Sequence, residues 1–243
     1  MLRIAFALII VLVACRPVFA DMQSAVKAFQ RGDYASALPE FQKLAGKGNP
    51  TAQRLLAGMY EGGLGIQRDY REAFKWYHFA AEKGDLTAQF MVAQMYYEGK
   101  GGPVDYVEAA KWYKTAAERG HGYAQYNLAL MYEYGRGVPM DRREALKWHL
   151  KAAKGNIAES QHRMGKICMD GDIVPQNPAH ALFWLELAAR NGNEEAARLR
   201  GHLAARMTAA QLQQAKNLLQ NSGSTKGNDF SPALSCMFYK GSP

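Results

Sequence analysis

Few residues in this 243-residue chain are of a type and spacing that could do chemistry. Glu72, Glu108 and Glu144 recur at intervals of 36 and invite a carboxylate acid–base reading. Each stands alone, however, three residues after Asp69, Asp105 or Asp141, which is the spacing of a helix-capping box rather than of a catalytic pair. The six histidines (His78, His121, His149, His162, His180 and His202) fall in different registers, and none lies at zinc-ligand spacing from a cysteine or a second histidine. Gly135-Arg136-Gly137 is a turn between helical patterns and not a phosphate cradle, because no strand precedes it. A nucleophile elbow or dinucleotide fingerprint would also need a strand, and the sequence offers no convincing one. These residues imply no enzymatic chemistry, no metal and no cofactor.

What positions them is a repeat. Ala52-Gln53, Ala88-Gln89, Ala124-Gln125 and Ser160-Gln161 are spaced by 36, and Ala196 follows 36 later. Everything between them keeps register. Trp76, Trp112, Trp148 and Trp184 are one position seen four times, so the tryptophan row reads as packing and not as a ligand box. Gly63, Gly99, Gly135 and Gly171 mark a loop in every unit. Four full units cover residues 52–195.

Each unit reads as two helices. Ala52, Leu56, Met59 and Tyr60 lie at i, i+4, i+7 and i+8, one apolar face of a 3.6-residue period. The glycine loop stops that helix, and the next opens at Asp69, Asp105 or Asp141, or at Asn177-Pro178 in the fourth unit. Ala73, Trp76, Tyr77 and Ala80 supply its apolar face. Gly84, Gly120 and Gly192 end it in the left-handed region, with Asn156 in that role in the third unit.

The stretch Ala88 to Gly120 and its counterparts follow A-x-x-x-L-A-x-M-Y-x-x-G-x-G-x-x-x-D-x-x-E-A-x-K-W-Y-x-x-A-A-E-x-G. This pattern resembles the Sel1-like repeat, a relative of the tetratricopeptide repeat. The resemblance implies an all-α fold: a right-handed α-solenoid of helix-turn-helix repeats with a 36-residue period and no β-sheet. It also implies a protein-binding scaffold or adaptor, of a kind that in bacteria includes exported proteins of envelope regulation and assembly. A cysteine-rich branch of the family is associated with binding or hydrolysing β-lactams. The paired cysteines that mark that branch are missing here, so a β-lactam or peptidoglycan hydrolase or binder is the weaker alternative.

On a helical wheel begun at position 52, the core residues occupy one arc and positions 54, 58 and 61 of each unit point the other way. They read Arg54, Gly58 and Glu61, then Phe90, Gln94 and Tyr97, then Tyr126, Leu130 and Glu133, then His162, Lys166 and Met169. First helices commonly line the concave side of a solenoid. The expected partner-binding residues are therefore Phe90, Gln94, Tyr97, Tyr126, Leu130, Glu133, His162 and Lys166.

The N-terminus carries a targeting pattern: Arg3, an apolar run from Ile4 to Ala14, and Val18-Phe19-Ala20 before Asp21. The expected organisation is a signal peptide over 1–20, a solenoid over 21–220, and a flexible tail over 221–243. Within the solenoid lie an N-terminal cap at 24–51 and closing helices at 196–220, with Thr208 as a helix cap. Leu12-Val13-Ala14-Cys15 also fits a lipidation site, which would make the protein an outer-membrane lipoprotein instead of a soluble periplasmic one. Cleavage after Ala20 leaves 28 basic against 22 acidic residues, so the formal net charge falls from +8 to +6. Export and the scatter of basic residues over outer helix positions argue against nucleic acid and for an unidentified protein partner. Cys168 occupies a buried repeat position, and whether it pairs with Cys236 stays open.

Overall fold

The computed structural model describes residues 21–224, of which 222–224 are described as backbone only. All regular structure among them is helical. A first helix, α1, covers 21–30. It is followed by α2 (Tyr34–Gly46), α3 (Pro50–Gly62), α4 (Tyr70–Glu82), α5 (Leu86–Glu98) and α6 (Tyr106–Glu118). Then come α7 (Gly122–Tyr134), α8 (Arg142–Lys154), α9 (Ala158–Asp170), α10 (Pro178–Arg190), α11 (Glu194–Ala204) and α12 (Ala209–Ser224). The helices form two compact units, one ending at Ala116 and one beginning at Ala117.

In the first unit α2, α3, α4 and α5 pack in succession. Phe41, Leu44, Leu56 and Met59 close its first layer, and Tyr77, Val92 and Met95 the next. Fully buried alanines such as Ala73, Ala80 and Ala88 let the helices approach closely. In the second unit α7, α8, α9, α10 and α11 pack in succession, and α12 returns onto α10. Met164, Ile167, Cys168, Phe183 and Trp184 form its main core. Trp148 and Trp184 are buried whereas Trp76 and Trp112 are only half-buried, so the tryptophan row belongs to the core in two copies and to its edge in two.

The recurring Ala-Gln pair has a structural task. Gln53 Nε2 donates to Ala45 O at 3.2 Å, Gln89 to Ala81 O at 3.1 Å, Gln125 to Ala117 O at 3.0 Å and Gln161 to Ala153 O at 3.0 Å. Each carbonyl already accepts a turn N–H, from Gly48, Gly84, Gly120 or Asn156. The glutamine therefore takes its second lone pair and stitches a first helix to the helix before it.

The capping box is only half realised. Asp69 Oδ1 accepts from the N–H groups of Arg71 and Glu72 at 2.8 and 3.2 Å, and Asp105 and Asp141 repeat this. Glu72, Glu108 and Glu144 do not reach back. The Asp69, Asp105 and Asp141 N–H groups are already given to Tyr60, Tyr96 and Tyr132 carbonyls, so the glutamates pair with Lys75, Lys111 and Lys147 instead. A reciprocal box does form at Thr208, whose Oγ1 accepts from Gln211 N–H while Gln211 Oε1 accepts from Thr208 N–H.

At the helix ends Asn156 holds φ +62°, the left-handed conformation that Gly84, Gly120 and Gly192 adopt in the other units. Gly101 is required for space: a Cβ there would lie 2.5 Å from Tyr70 O. Helix α11 ends at Ala204, and α12 runs to Ser224, past the expected limit at 220. Residues 1–20 and 225–243, with Cys15 and Cys236, lie outside the described residues.

Candidate functional site in the second unit

The eight expected partner-binding residues divide between the units. In the first, Phe90 is half-buried with its ring 5.8 Å from that of Tyr113, and Tyr97 meets Tyr106 edge-on at 5.1 Å. Gln94 Nε2 donates to Glu98 at 2.8 Å. Here the stripe satisfies itself. Arg54 likewise pairs with Asp85 at 3.1 Å, and Glu61 accepts the buried Tyr77 hydroxyl at 2.9 Å. Burial first, and then the Glu61 carboxylate, push the Tyr77 hydroxyl up from its ordinary pKa.

In the second unit Tyr126, Leu130, His162 and Lys166 line one open groove of about 310 Å³. Tyr134, Glu159, Arg163 and the α11 residue Glu195 complete most of its wall. Helix α7 supplies tyrosine and leucine, and α9 supplies charge. Glu133 is not a solvent-facing groove residue as the wheel suggested. Its side chain is 12% exposed, held by Arg163 through Nε at 3.1 Å and through a second, closer contact from Nη2. Glu133 instead lines a second, smaller cavity of about 50 Å³, together with Arg142, Asp170 and Asp172.

His149 and Arg163 line both spaces and form the septum between them. His149 is fully buried; its Nε2 lies 3.4 Å from Glu133 and its Nδ1 3.3 Å from Ser160 Oγ. Burial pulls its pKa down to about 4, so the ring is neutral near pH 7. His162 is also lowered by burial, with Glu195 opposing. Burial raises the Tyr126 hydroxyl, and the nearby Glu159 carboxylate raises it further.

A profile describing the Sel1 repeat matches residues 50–85, 86–121, 122–157 and 158–193, more than half of the chain and each 36 residues long. The chain belongs to the Sel1 repeat family. A crystal structure of a Sel1 repeat protein from Oxalobacter formigenes aligns with TM-score 0.72 at 26% identity, covering 81% of this chain and 84% of that one. With the helical architecture above, this makes the fold an α-solenoid of helix-turn-helix repeats. A protective antigen of uropathogenic Escherichia coli displaying an SLR fold aligns at TM-score 0.48 and 27% identity, over 82% of this chain and 52% of that one. This chain thus spans about half of the antigen's length. A putative Sel1 repeat protein from Klebsiella pneumoniae subsp. pneumoniae aligns at TM-score 0.48 and 23% identity, over 77% of this chain and 93% of that one. No curated protein matches the chain.

Sel1 register explains how the septum arose. His149 stands where the preceding repeats place Tyr77 and Tyr113, and Ser160 stands where they place Ala88 and Ala124. The smaller imidazole and the added hydroxyl are a matched exchange eleven residues apart. Sequence reading missed this cluster because its members come from three helices of the unit, α7, α8 and α9. The signal available was the joint departure of positions 149 and 160 from the repeat.

Ser160, His149 and Glu133 stand in a row with a triad's residue types. The geometry is wrong for acyl transfer. Ser160 is 0% exposed and lines neither cavity, so no carbonyl reaches its Oγ. Among the described residues, no group of three or more His, Cys, Asp or Glu is placed to hold a metal ion.

Proposed function

We propose that this Sel1 repeat protein is an exported, non-catalytic scaffold of the bacterial envelope that binds a protein partner in the groove of its second unit. The observation that carries this reading is the groove itself. Tyr126, Leu130 and Tyr134 form an apolar wall of the kind that anchors interfaces, opposite polar groups on α9 and α11 that orient a ligand. The first-unit stripe, with Phe90, Gln94 and Tyr97 engaged internally, has a lesser share in binding.

Sel1 repeats commonly serve protein binding, which agrees with this assignment. Export rests on the sequence from Met1 to Ala20, and no helix among the described residues is long and apolar enough to cross a membrane. The test places a photo-crosslinking residue at position 134, whose tyrosine is 59% exposed, in the full-length protein in its own cells. A discrete cross-linked partner that is lost in Tyr126→Ala supports the reading, and its absence overturns it. Fractionation with intact-mass analysis gives either a soluble chain starting at Asp21 or a lipidated one starting at Cys15. A β-lactam turnover assay on wild type and Ser160→Ala separates scaffold from hydrolase.

A further inference from the structure

Resting on the groove as the partner face, we infer that its occupant is a basic peptide segment of the partner, with a Lys or Arg side chain seated on the tyrosine wall between Glu159 and Glu195.

The charge distribution carries the argument. The chain as a whole is strongly basic, at +8, yet the groove and the small cavity beside it together carry five carboxylates against three cations. Glu133 takes up the charge of Arg163, and Asp172 lies 3.9 Å from Arg142. Once these are paired, Glu159 and Glu195 remain in the groove against Lys166, an excess of one negative charge, and Asp170 adds a second from the far side of the septum. The histidines do not offset it, because burial favours the neutral rings of His149 and His162. Glu195 lies 4.0 Å from the His162 ring, a weak pairing that leaves its carboxylate open to a ligand.

The aromatic wall suits the same ligand. Tyr134 already receives a guanidinium, that of Arg136, 5.6 Å from its ring centroid, and more than half of its surface stays exposed. Glu159 is close enough to Tyr126 to raise its hydroxyl pKa, so a cation on this wall meets a ring face and a carboxylate together. An acidic ligand meets Lys166 and, beside Tyr134, Arg136, while Arg163 is held by Glu133. The Arg163–Glu133 clamp also fixes the groove floor before binding, which limits the ordering cost.

Fluorescence polarisation on the mature protein tests this with a fluorescein-labelled peptide of alternating Arg and Leu, and with versions carrying Gln or Glu in place of Arg. The inference expects the Arg peptide to bind, the Gln peptide to bind at least tenfold more weakly and the Glu peptide not to bind. Nonspecific attraction cannot produce that order, because the net charge of the protein repels a basic peptide. Glu159 and Glu195 are both exposed, so Glu159→Lys with Glu195→Lys keeps the helical circular dichroism while weakening the Arg peptide at least tenfold. Lys166→Gln tightens it. Equal binding of Arg and Glu peptides, or an Arg peptide indifferent to the double reversal, overturns the inference. A partner cross-linked at position 134 through an acidic or uncharged segment overturns it while leaving the scaffold reading intact. The absence of any cross-linked partner removes the scaffold reading as well.

Discussion

At the residue scale the septum is the most unusual feature, because it places a histidine where the two preceding repeats use tyrosine. A histidine whose folded pKa lies near 4, against about 6.5 unfolded, is neutral in the fold and binds its proton more readily in the unfolded chain. Its stabilising contribution is present above about pH 6.5 and is lost as pH falls through about 4. Urea titrations across that window should show stability falling with acidification, by up to about 3 kcal/mol from this residue. His149→Gln should flatten the slope, and an unchanged slope would place its origin elsewhere, His121 and His162 being lowered in the same direction. The repeat register supplies a companion test. His149→Tyr alone drives a larger ring against Ser160, whereas His149→Tyr with Ser160→Ala restores the pairing of Tyr77 with Ala88. The double variant should exceed the summed effects of the single changes by about 1 kcal/mol or more in a double-mutant cycle. Additivity would mean that the two positions are independent.

At the element scale, stability is distributed over devices copied from unit to unit. Asp69→Ala removes the acceptor of two N–H groups at the start of α4 and should cost about 1 kcal/mol, read from the urea midpoint at constant slope. Asn156→Gly relieves the left-handed strain of a side chain at φ +62° and should stabilise by up to about 1 kcal/mol. If Asn156→Gly destabilises, the Asn156 Oδ1 contact with Gln161 at 3.4 Å outweighs the strain. These devices show what was legible beforehand. Helix starts at Asp69, Asp105, Asp141 and Asn177 could be read from sequence because a cap is a local interaction spanning three residues. The fate of Glu72 could not, because the N–H group it would have bonded is taken by Tyr60, nine residues upstream. The groove was legible in part. Tyr126, Leu130, His162 and Lys166 follow from helical angle alone, but the inward turn of Glu133 rests on contacts with His149 and Arg163, which come from two later helices.

At the scale of the whole molecule, consecutive helices pack on one another from α2 to α5 in the first unit and from α7 to α11 in the second, so stability is set largely by each repeat and the interface beside it. Such an architecture opens locally instead of melting all at once. Met164 is fully buried in the second unit, and Met164→Ala should cost about 2–5 kcal/mol there. Amide hydrogen exchange on the full chain should then show protection lost in α8, α9 and α10 while α3 and α4 keep theirs. The contrast follows from the contacts. The methionine touches the core built from Leu146, Ile167, Phe183 and Trp184, whereas α3 and α4 are held by the separate clusters around Leu56, Met59 and Tyr77. A uniform loss of protection across both units would show that they unfold as one. Loss confined to the second unit bears on function, since a groove that opens independently of the first unit can exchange partners without unfolding the rest of the chain.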